Sequence, residues 1–371
     1  MKYYIIAGEA SGDLHGANLI KAIYQEDIDA TIHYWGGDLM QQAGGILVKH
    51  YRDLAFMGFI EVLFNLRTIL KNITLCKKDI DAFQPDVLIF IDYPGFNMRI
   101  AKWAKKKGIK THYYISPQIW AWKEGRIKDI KRDVDALYVI LPFEKPFYEE
   151  KHQFHVNFVG HPLIDEIANR EQVTDTTFRT ENGLDQRRII AILPGSRKQE
   201  ISKMLEVMLS IVGDFKDYQF VIAGAPSQNE FFYQPFIKTQ NIHLLLNKTY
   251  DLLSFSHAAL VTSGTATLET ALFKVPQVVC YKGNQISYEI AKRIIKLKYI
   301  SLVNLILDKE VVTELIQSDF NKKRLKEELS KILVDSNRTA LFIAYYELEK
   351  KLGGIGASKK TAQLIVEAAR K

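Results

Sequence analysis

The stretch YYIIAGEASGDLHG, residues 3–16, sets the first strand–loop–helix unit of the fold. An apolar run at residues 3–7 predicts a buried strand, and the amphipathic pattern at residues 14–24 predicts the helix that follows it. The three glycines of the stretch do not follow the G-x-G-x-x-G spacing, so the dinucleotide-binding fingerprint is not matched. Two interpretations of the loop stay open on these residues. It is either a tight turn in which Ser11 or Asp13 caps the helix, or a loop that contacts a ligand.

Short apolar runs and amphipathic helices alternate on both sides of a polar stretch at residues 169–187. This alternation predicts parallel sheets covered by helices. Before the polar stretch, strands are predicted at residues 3–7, 87–91, 110–115 and 136–140, with helices at residues 14–24, 60–83 and 96–107. After it, strands are predicted at residues 189–193, 219–223, 243–246, 258–261 and 277–280.

The predicted fold is therefore α/β, with two Rossmann-like, doubly wound domains that face each other across a cleft (GT-B). A chain of 371 residues is also too long for one ordinary core. We expect an N-terminal domain at residues 1–168, completed by C-terminal helices at about 338–371, and a C-terminal domain at residues 188–337. Ligands of such folds bind at the carboxyl ends of the strands, which is where we expect the site.

Composition narrows the class of partner and the compartment. The chain carries 50 Lys+Arg against 43 Asp+Glu, a net charge of +7, which favours anionic partners. No zinc spacing or RNA-binding motif supports nucleic acid as that partner. The two cysteines imply no disulfide framework, and no apolar run approaches the length of a membrane span. We expect a cytoplasmic protein whose contact with a membrane is peripheral.

Two motifs of the second half predict a phosphate site. In ILPGSRKQEI (residues 192–201), Gly195 turns the chain, Ser196 can cap a helix, and Arg197 adds a positive charge. The alternative is a capped turn that carries a surface arginine. The stretch VTSGTATLETALFKVPQVV (residues 261–279) follows the same plan at the end of another strand.

In that second stretch Ser263, Gly264 and Thr265 offer amides and hydroxyls at a helix start, and Glu269 lies one turn further on. Glu269 could accept hydrogen bonds from two sugar hydroxyls, although a solvated helix glutamate is the commoner fate. Two anion-binding turns and a hydroxyl acceptor indicate a nucleoside diphosphate. The P-loop pattern is missing, so hydrolysis of ATP is not expected, and the scattered histidines predict no metal site.

In the first half, the stretch DVLIFIDYPGFN (residues 86–97) places Asp92 directly after a buried strand. The carboxylate could take a proton from an attacking hydroxyl, and Glu9 and Asp13 of the opening loop would face the same crevice. The alternative is a structural carboxylate that caps the next helix. Position alone slightly favours this structural alternative.

With these motifs in order, the sequence resembles the lipid-A-disaccharide synthase family, glycosyltransferases of the GT-B type. The resemblance rests on GEASGDLHG, MGFIEVL, IDYPGFN, YISPQIWAWKEGR, LPFEK, FVGHPL, LPGSR, SGTATLE and YISLVNLI, and it extends from residue 7 to about residue 310. One departure is Val303, where the family usually has proline before Asn304. The segment after residue 319 carries little family signal.

The resemblance implies the reaction. A 2,3-diacylglucosamine unit moves from UDP-2,3-diacylglucosamine to the 6-hydroxyl of 2,3-diacylglucosamine 1-phosphate (lipid X), and the anomeric centre inverts in one displacement. The products are UDP and the β-1,6 lipid A disaccharide 1-phosphate. This chemistry requires a base and stabilisation of the leaving diphosphate, with no cofactor and no metal.

The resemblance also implies roles for the residues singled out above. Asp92, Glu9 and Asp13 are the candidates for catalysis. Ser11 and Gly12 belong to the opening loop, which is implied to contact the acceptor. The residues implied to bind UDP are Gly195, Ser196, Arg197, Ser263, Gly264, Thr265, Glu269 and Asn304.

Two other functions compete with this hypothesis. A UDP-sugar 2-epimerase would share the double Rossmann architecture, but the apolar segment at residues 59–70 and the stretch SPQIWAW argue against it. A silent nucleotide-sugar or lipid-binding protein would not need both Asp92 and Arg197. An assay of UDP release with and without lipid X separates the three.

Because the implied substrates carry acyl chains, the protein is expected to contact the inner-membrane surface. The stretch MGFIEVLFNLRTILKNI (residues 57–73) is rich in apolar residues with basic ones among them, and Phe59, Leu63 and Phe64 are the candidates for lipid contact. The alternative is an ordinary core helix. We expect peripheral association with the cytoplasmic face of the inner membrane, and a homodimer is left open.

Overall fold

The strands among the described residues form two all-parallel sheets. The computed structural model describes residues 1–53, 66–284, 288 and 297–371. The first sheet contains β1 (Lys2–Ala7), β2 (Thr31–Gly36), β3 (Ile46–His50), β4 (Val87–Ile91), β5 (Lys110–Tyr114), β6 (Ala136–Val139) and β7 (Asn157–Phe158). The second contains β8 (Arg188–Leu193), β9 (Tyr218–Gly224), β10 (Ile242–Leu246), β11 (Ser256–Thr262), β12 (Gln277–Tyr281) and β13 (Glu314–Ile316).

Helices connect these strands, as parallel pairing requires. Numbered along the described residues, they are α1 (Ala10–Glu26), α2 (Asp38–Ala43), α3 (Leu66–Phe83), α4 (Pro94–Lys106), α5 (Ile127–Asp133), α6 (Glu144–Pro146), α7 (Pro162–Asn169) and α8 (Asp175–Glu181). They continue with α9 (Lys198–Met208), α10 (Glu230–Tyr233), α11 (Thr249–Phe255), α12 (Thr265–Leu272), α13 (Leu302–Leu307), α14 (Lys322–Ile332), α15 (Asp335–Lys351) and α16 (Ala357–Arg370).

The chain divides into two units, each built around one sheet. Unit 1 comprises Met1–Asp165 and Leu352–Lys371, and unit 2 comprises Glu166–Lys351. This differs from the expected division in two places. The helix α15 belongs to unit 2 and only α16 to unit 1, and the polar stretch at 169–187 contains α8, whose Phe178 lies in the core of unit 2.

In unit 1 the strand order is β3-β2-β1-β4-β5-β6-β7, and both faces of the sheet are covered. On one face β1 packs through Tyr3 and Ile5 against α1 and α16, and on the other through Tyr4 and Ile6 against α3 and α4. The near-continuous apolar runs of β1 and β4 follow from this burial on both faces. The strands β2 and β3 contain polar residues and lack such runs, so they were not predicted from the sequence.

In unit 2 the strand order is β10-β9-β8-β11-β12-β13. In each sheet the order reverses once beside the first strand, between β1 and β4 and between β8 and β11. Such a reversal leaves a crevice at the carboxyl ends of the two strands, because the connections leave in opposite directions. A ligand-binding residue of either unit is therefore expected at one of these two positions.

No helix among the described residues has the length and apolar character needed to cross a membrane.

Candidate functional site

In unit 1 the opening glycine loop and Asp92 lie side by side. Ala7 pairs with Ile91 in the parallel register of β1 and β4, so Gly8 and Asp92 leave the sheet at the same point. A Cβ on Gly8 would lie 2.3 Å from Cδ1 of Tyr93. Glycine is therefore required at residue 8, since any side chain would displace the tyrosine ring that follows Asp92.

The turn after β4 holds its backbone in an unfavourable conformation. Asp92 has φ 43° and Tyr93 has φ 51°, both in the left-handed region. The Asp92 carbonyl accepts hydrogen bonds from the Tyr113 hydroxyl (2.6 Å) and from Nδ2 of Asn97 (2.7 Å), which fix the turn. Left-handed residues other than glycine cost roughly 1–3 kcal/mol each and cluster at functional sites. Neither Tyr113 nor Asn97 was singled out from the sequence, because the backbone group that each one binds lies on another element or one turn away.

The environment of the Asp92 carboxyl raises its pKa and so favours its neutral form. Its pKa is raised from the ordinary 3.8 to about 6, because burial and, to a smaller extent, the nearby Glu9 carboxylate outweigh the hydrogen bond from the Tyr93 amide, which lowers it. Glu9 is exposed and precedes the first turn of α1. A carboxylate with a pKa close to the working pH can accept a proton and later release it, which suits a general base.

Asp13 has a structural environment. Its side chain is buried and accepts the amides of Gly37 (2.7 Å), Leu39 (3.1 Å) and Met40 (3.1 Å) at the start of α2. Three backbone donors already occupy the carboxylate, which favours a structural role for Asp13. The catalytic role stays a prediction. Asp13 does not cap its own helix, since α1 begins at Ala10 and has no side-chain cap.

The other two residues of the opening loop differ in access. Ser11 is exposed in the first turn of α1, where a ligand can reach it. Gly12 is buried, and a Cβ there would lie 3.1 Å from the Ala7 Cβ. Gly12 therefore lets α1 pack closely on β1, and the loop does not present it to a ligand.

The partly buried His15 and the buried His161 lie in the same unit. Burial lowers the pKa of His15 to about 4, and burial together with nearby His15 lowers the pKa of His161 to about 3. Both rings are neutral at pH 7. Nδ1 of His161 accepts the amide of Leu163 (3.2 Å). His15 was not singled out from the sequence, although it stands in the quoted opening stretch.

In unit 2 the first phosphate motif continues β8 into α9. Gly195 has φ 103°, where glycine is favoured. The residue that precedes α9 is Arg197, whose amide is accepted by the Glu200 carboxylate, so Ser196 does not cap this helix as predicted. Ser196 and Arg197 are both exposed. The arginine is thus free to meet an anion at a helix N-terminus.

The second motif leaves the sheet beside the first. Leu193 pairs with Val261 in the register of β8 and β11, so both turns meet at the carboxyl ends of these strands. Gly264 (φ 151°) precedes α12, and the space where its Cβ would stand is open. Gly264 and Thr265 are exposed, whereas the Ser263 hydroxyl donates to the Ile300 carbonyl (2.9 Å). We call residues 195–197 and 263–265 the phosphate cradle.

Glu269 lies on α12, one turn beyond the cradle. The pKa of its carboxyl is raised to about 7, because burial outweighs the hydrogen bond from Tyr250, which lowers it. A partly buried carboxylate with one donor already in place can orient a further hydroxyl. Tyr250 was not singled out from the sequence as a partner of Glu269.

Asn304 was implied to bind UDP, but all the hydrogen-bonding atoms of its amide are occupied within unit 2. Its Oδ1 accepts the amides of Val311 (2.8 Å) and Val312 (3.0 Å), while Nδ2 donates to the Val312 carbonyl (2.8 Å) and to Glu314 (2.9 Å). The side chain is fully buried. Its observed role is to fix the loop before β13, and the buried Val303 is accommodated beside it.

Three candidates for lipid contact, Phe59, Leu63 and Phe64, lie outside the described residues. Among the residues that are described, no group of three or more His, Cys, Asp or Glu side chains is arranged to hold a metal ion.

Comparison with known proteins identifies the family. The sequence model of lipid-A-disaccharide synthetase matches residues 3–367. The chain belongs to this family. It is 38% identical to the lipid-A-disaccharide synthase of Geobacter metallireducens, over 98% of this chain and 96% of the relative. It is 39% identical to that of Syntrophus aciditrophicus, over 99% and 97%. As a member of the family it is a glycosyltransferase of lipid A disaccharide synthesis, as the motifs predicted.

Solved structures match the whole chain in fold. The S. aureus MnaA-UDP co-structure superposes with a TM-score of 0.70 at 13% identity, covering 100% of this chain and 97% of that one. A UDP-GlcNAc 2-epimerase from Neisseria meningitidis bound to UDP-GlcNAc gives 0.65 at 14%, covering 99% of each. The glycosyltransferase of kitacinnamycin gives 0.66 at 12%, covering 99% and 98%. These matches confirm the two-domain α/β fold of the GT-B type. At such identities they say nothing in favour of an epimerase.

Proposed function

We propose that the chain transfers 2,3-diacylglucosamine from UDP to the 6-hydroxyl of 2,3-diacylglucosamine 1-phosphate with Asp92 as the general base. The observation that carries this assignment is the place of Asp92 at the strand-order reversal of unit 1, with a pKa of about 6. In the reaction the hydroxyl proton goes to the Asp92 carboxylate and the oxygen attacks the anomeric carbon. The bond from that carbon to the diphosphate breaks, and UDP leaves with the electron pair. Glu9 acts through Asp92, since its negative charge raises the pKa of the Asp92 carboxyl and so makes it a stronger base.

The donor site is assigned to unit 2. The diphosphate lies in the phosphate cradle, where Arg197 and the amides of Gly264 and Thr265 face it. The negative charge on the leaving group grows in the transition state, so these donors contribute to rate as well as to binding. Glu269, held by Tyr250, accepts the ribose hydroxyls. Because burial raises the pKa of Glu269 to about 7, UDP should bind more tightly above this pH than below it.

The test of the reaction is acceptor dependence. Purified protein is incubated with UDP-2,3-diacylglucosamine, with and without lipid X, while UDP and the disaccharide are measured. We expect UDP release only with acceptor, with one disaccharide formed per UDP. Equal release without acceptor, or conversion of the donor to its 2-epimer, would contradict the transferase.

The donor assignment is tested by calorimetric titration with UDP. Arg197→Ala and Glu269→Ala should each weaken binding by about 10-fold or more, as expected for the loss of a charge-assisted hydrogen bond. Arg197→Ala should also slow turnover at saturating substrate. Lys203→Ala is the matched control, since Lys203 is an exposed cation on α9 and lies outside the cradle. Unchanged UDP affinity in both cradle variants would place the nucleotide elsewhere.

Membrane association is a separate proposal. Each buried CH₂ of an acyl chain contributes about 0.8 kcal/mol, so the substrates stay in the bilayer until an apolar surface receives them. The segment at residues 57–73 is the candidate for peripheral contact with the cytoplasmic face of the inner membrane. A Leu63→Ser, Phe64→Ser double variant should stay folded and float less with anionic liposomes. Unfolding, or flotation equal to that of the parent, would assign the segment to the core.

A further inference from the structure

A small basic cleft lies beside the turn that carries Asp92. It has a volume of about 200 Å³ and is lined by Pro94, Gly95, Met98, Arg99, Arg126 and Asp129. The cleft therefore begins two residues after Asp92, at the first turn of α4, and lies wholly within unit 1. The reaction proposed above assigns no role to it.

Both arginines of the cleft are held in place without a carboxylate partner. Nη1 of Arg99 donates to the Gly95 carbonyl (2.8 Å), which keeps the guanidinium over the first turn of α4. The guanidinium carbon of Arg126 lies 5.9 Å from the ring centroid of Trp122, and Nζ of Lys123 lies 4.1 Å from the same centroid. Among the described residues, no acidic group forms an ion pair with either arginine.

The acids near the cleft are occupied by other cations. Asp129 forms an ion pair with Arg132 (2.8 Å). Glu124, two residues before Arg126, is paired with Lys151 (2.7 Å) and, when protonated, His152 (2.9 Å). The charges of Arg99 and Arg126 are therefore not neutralised locally. Two arginines with unused N–H groups on one cleft are suited to the oxygens of a phosphate or carboxylate.

The cleft is linked to the base through a short chain of contacts. The Tyr113 hydroxyl donates to the Asp92 carbonyl (2.6 Å), and the charge of Arg126 acts on this same tyrosine. The amide of Gly95 has no intrahelical partner in the first turn, and the space where its Cβ would stand is open. An anion in the cleft would thus be close to the Asp92 turn, with a helix N-terminus and two arginines as donors.

We propose that this cleft binds the phosphate monoester of the acceptor sugar through Arg99 and Arg126. The inference rests on the function proposed above. The acceptor carries its reacting hydroxyl at one end of a hexose ring and its phosphate at the other. Holding the phosphate beside the Asp92 turn orients the ring, so that the hydroxyl meets the carboxylate while the phosphate itself does not react. Arg99 and Arg126 are binding residues that select a phosphorylated acceptor.

The experiment compares two acceptors that differ only in this group, 2,3-diacylglucosamine 1-phosphate and 2,3-diacylglucosamine. For Arg99→Ala and Arg126→Ala we expect kcat/KM with the phosphorylated acceptor to fall about 10- to 100-fold, mostly through KM, as for one lost charge-assisted hydrogen bond. With the unphosphorylated acceptor the variants should equal the parent within about threefold. Arg99→Lys keeps the charge and should recover part of the loss.

Lys102→Ala is the matched control, because Lys102 is an exposed cation of α4 that does not line the cleft. It should leave both acceptors unaffected. Equal losses with the two acceptors in the arginine variants would mean that the arginines only support the fold near Asp92, and the proposal would be wrong. Unchanged kinetics with both would also overturn it. A parent protein that transfers to neither acceptor would instead refute the proposed function itself.

Discussion

Removing the Glu9 charge should move the acidic limb of the pH–rate profile. Burial and Glu9 raise the pKa of Asp92 from 3.8 to about 6, and burial is the larger cause. In Glu9→Gln the burial remains, so the pKa of Asp92 should fall below that of the parent and stay above 3.8. The acidic limb of kcat/KM reports this pKa because the base must be ionised to accept the proton.

The size of the effect can be bounded at pH 5. With a pKa of about 6, Asp92 is ionised in about one-tenth of the molecules, and the parent should run at about one-tenth of its plateau. With the ordinary aspartate pKa the ionised fraction would be about nine-tenths. Glu9→Gln should lie between these limits, and hence retain more of its own plateau rate at pH 5 than the parent does. The assay is kcat/KM for acceptor-dependent UDP release between pH 4.5 and pH 8, at constant ionic strength.

The matched control is Asp29→Asn. Asp29 is an exposed acid just beyond the far end of α1, a helix whose 17 residues extend over roughly 25 Å. The substitution removes the same charge far from the Asp92 turn and should leave the limb in place. An acidic limb that does not move in Glu9→Gln, or that moves to higher pH, would refute the reasoning. An equal shift in Asp29→Asn would mean that the net charge of the protein, and not the nearby Glu9 carboxylate, causes the shift.

Three further predictions concern the same unit. Asp92→Asn should lower kcat about 10²–10⁴-fold while UDP affinity is kept. It should also raise the free energy of unfolding at pH 7 by at most about 3 kcal/mol, because the raised pKa of Asp92 destabilises the folded parent as pH rises from 3.8 through about 6. Equal unfolding midpoints of both proteins across that pH range would contradict this. Gly8→Ala places a Cβ 2.3 Å from the Tyr93 ring, so it should destabilise by about 1–3 kcal/mol and reduce kcat, and a fully active, equally stable variant would show that the ring can move freely. Asp13→Asn turns an amide NH₂ toward backbone donors and should cost about 1–3 kcal/mol in urea unfolding with little change in kcat of the folded enzyme. A large loss of kcat at unchanged stability would return Asp13 to the catalytic group.

Local pattern was enough to place the four turns that carry the candidate residues, two in each unit. Asp92 and Gly8 each follow an apolar run that could only be a buried strand, and residues 194–197 and 263–265 repeat that arrangement. Because all neighbouring strands are parallel, the turns after them emerge at the same edge of each sheet. The sequence could not say which strands are neighbours. The pairing of β1 with β4, and of β8 with β11, brings Gly8 beside Asp92 and Gly195 beside Gly264.

Two polar residues, Asp13 and Asn304, have buried environments that their motifs did not indicate. Asp13 stands among residues that read as a ligand loop, and Asn304 stands in a family motif. Asp13 meets its donors about 24 residues along the chain, at Gly37, and Asn304 meets Glu314 across the loop to β13. A buried polar side chain must be satisfied by whatever donors and acceptors surround it. Which groups these are depends on long-range packing that residue type and spacing do not encode.

The sequence by itself determined the α/β class, the two-sheet division, the family, the turns that hold Asp92 and Arg197, and the helix that carries Glu269. These features depend on local periodicity and on short contiguous motifs, which act over one strand or one helix turn. The tertiary structure alone decided that Asp92 titrates near pH 6, that Asp13 caps α2, and that Arg99 and Arg126 share one cleft. Each of these depends on burial and on charges contributed by distant segments, and both are set only when the chain is folded.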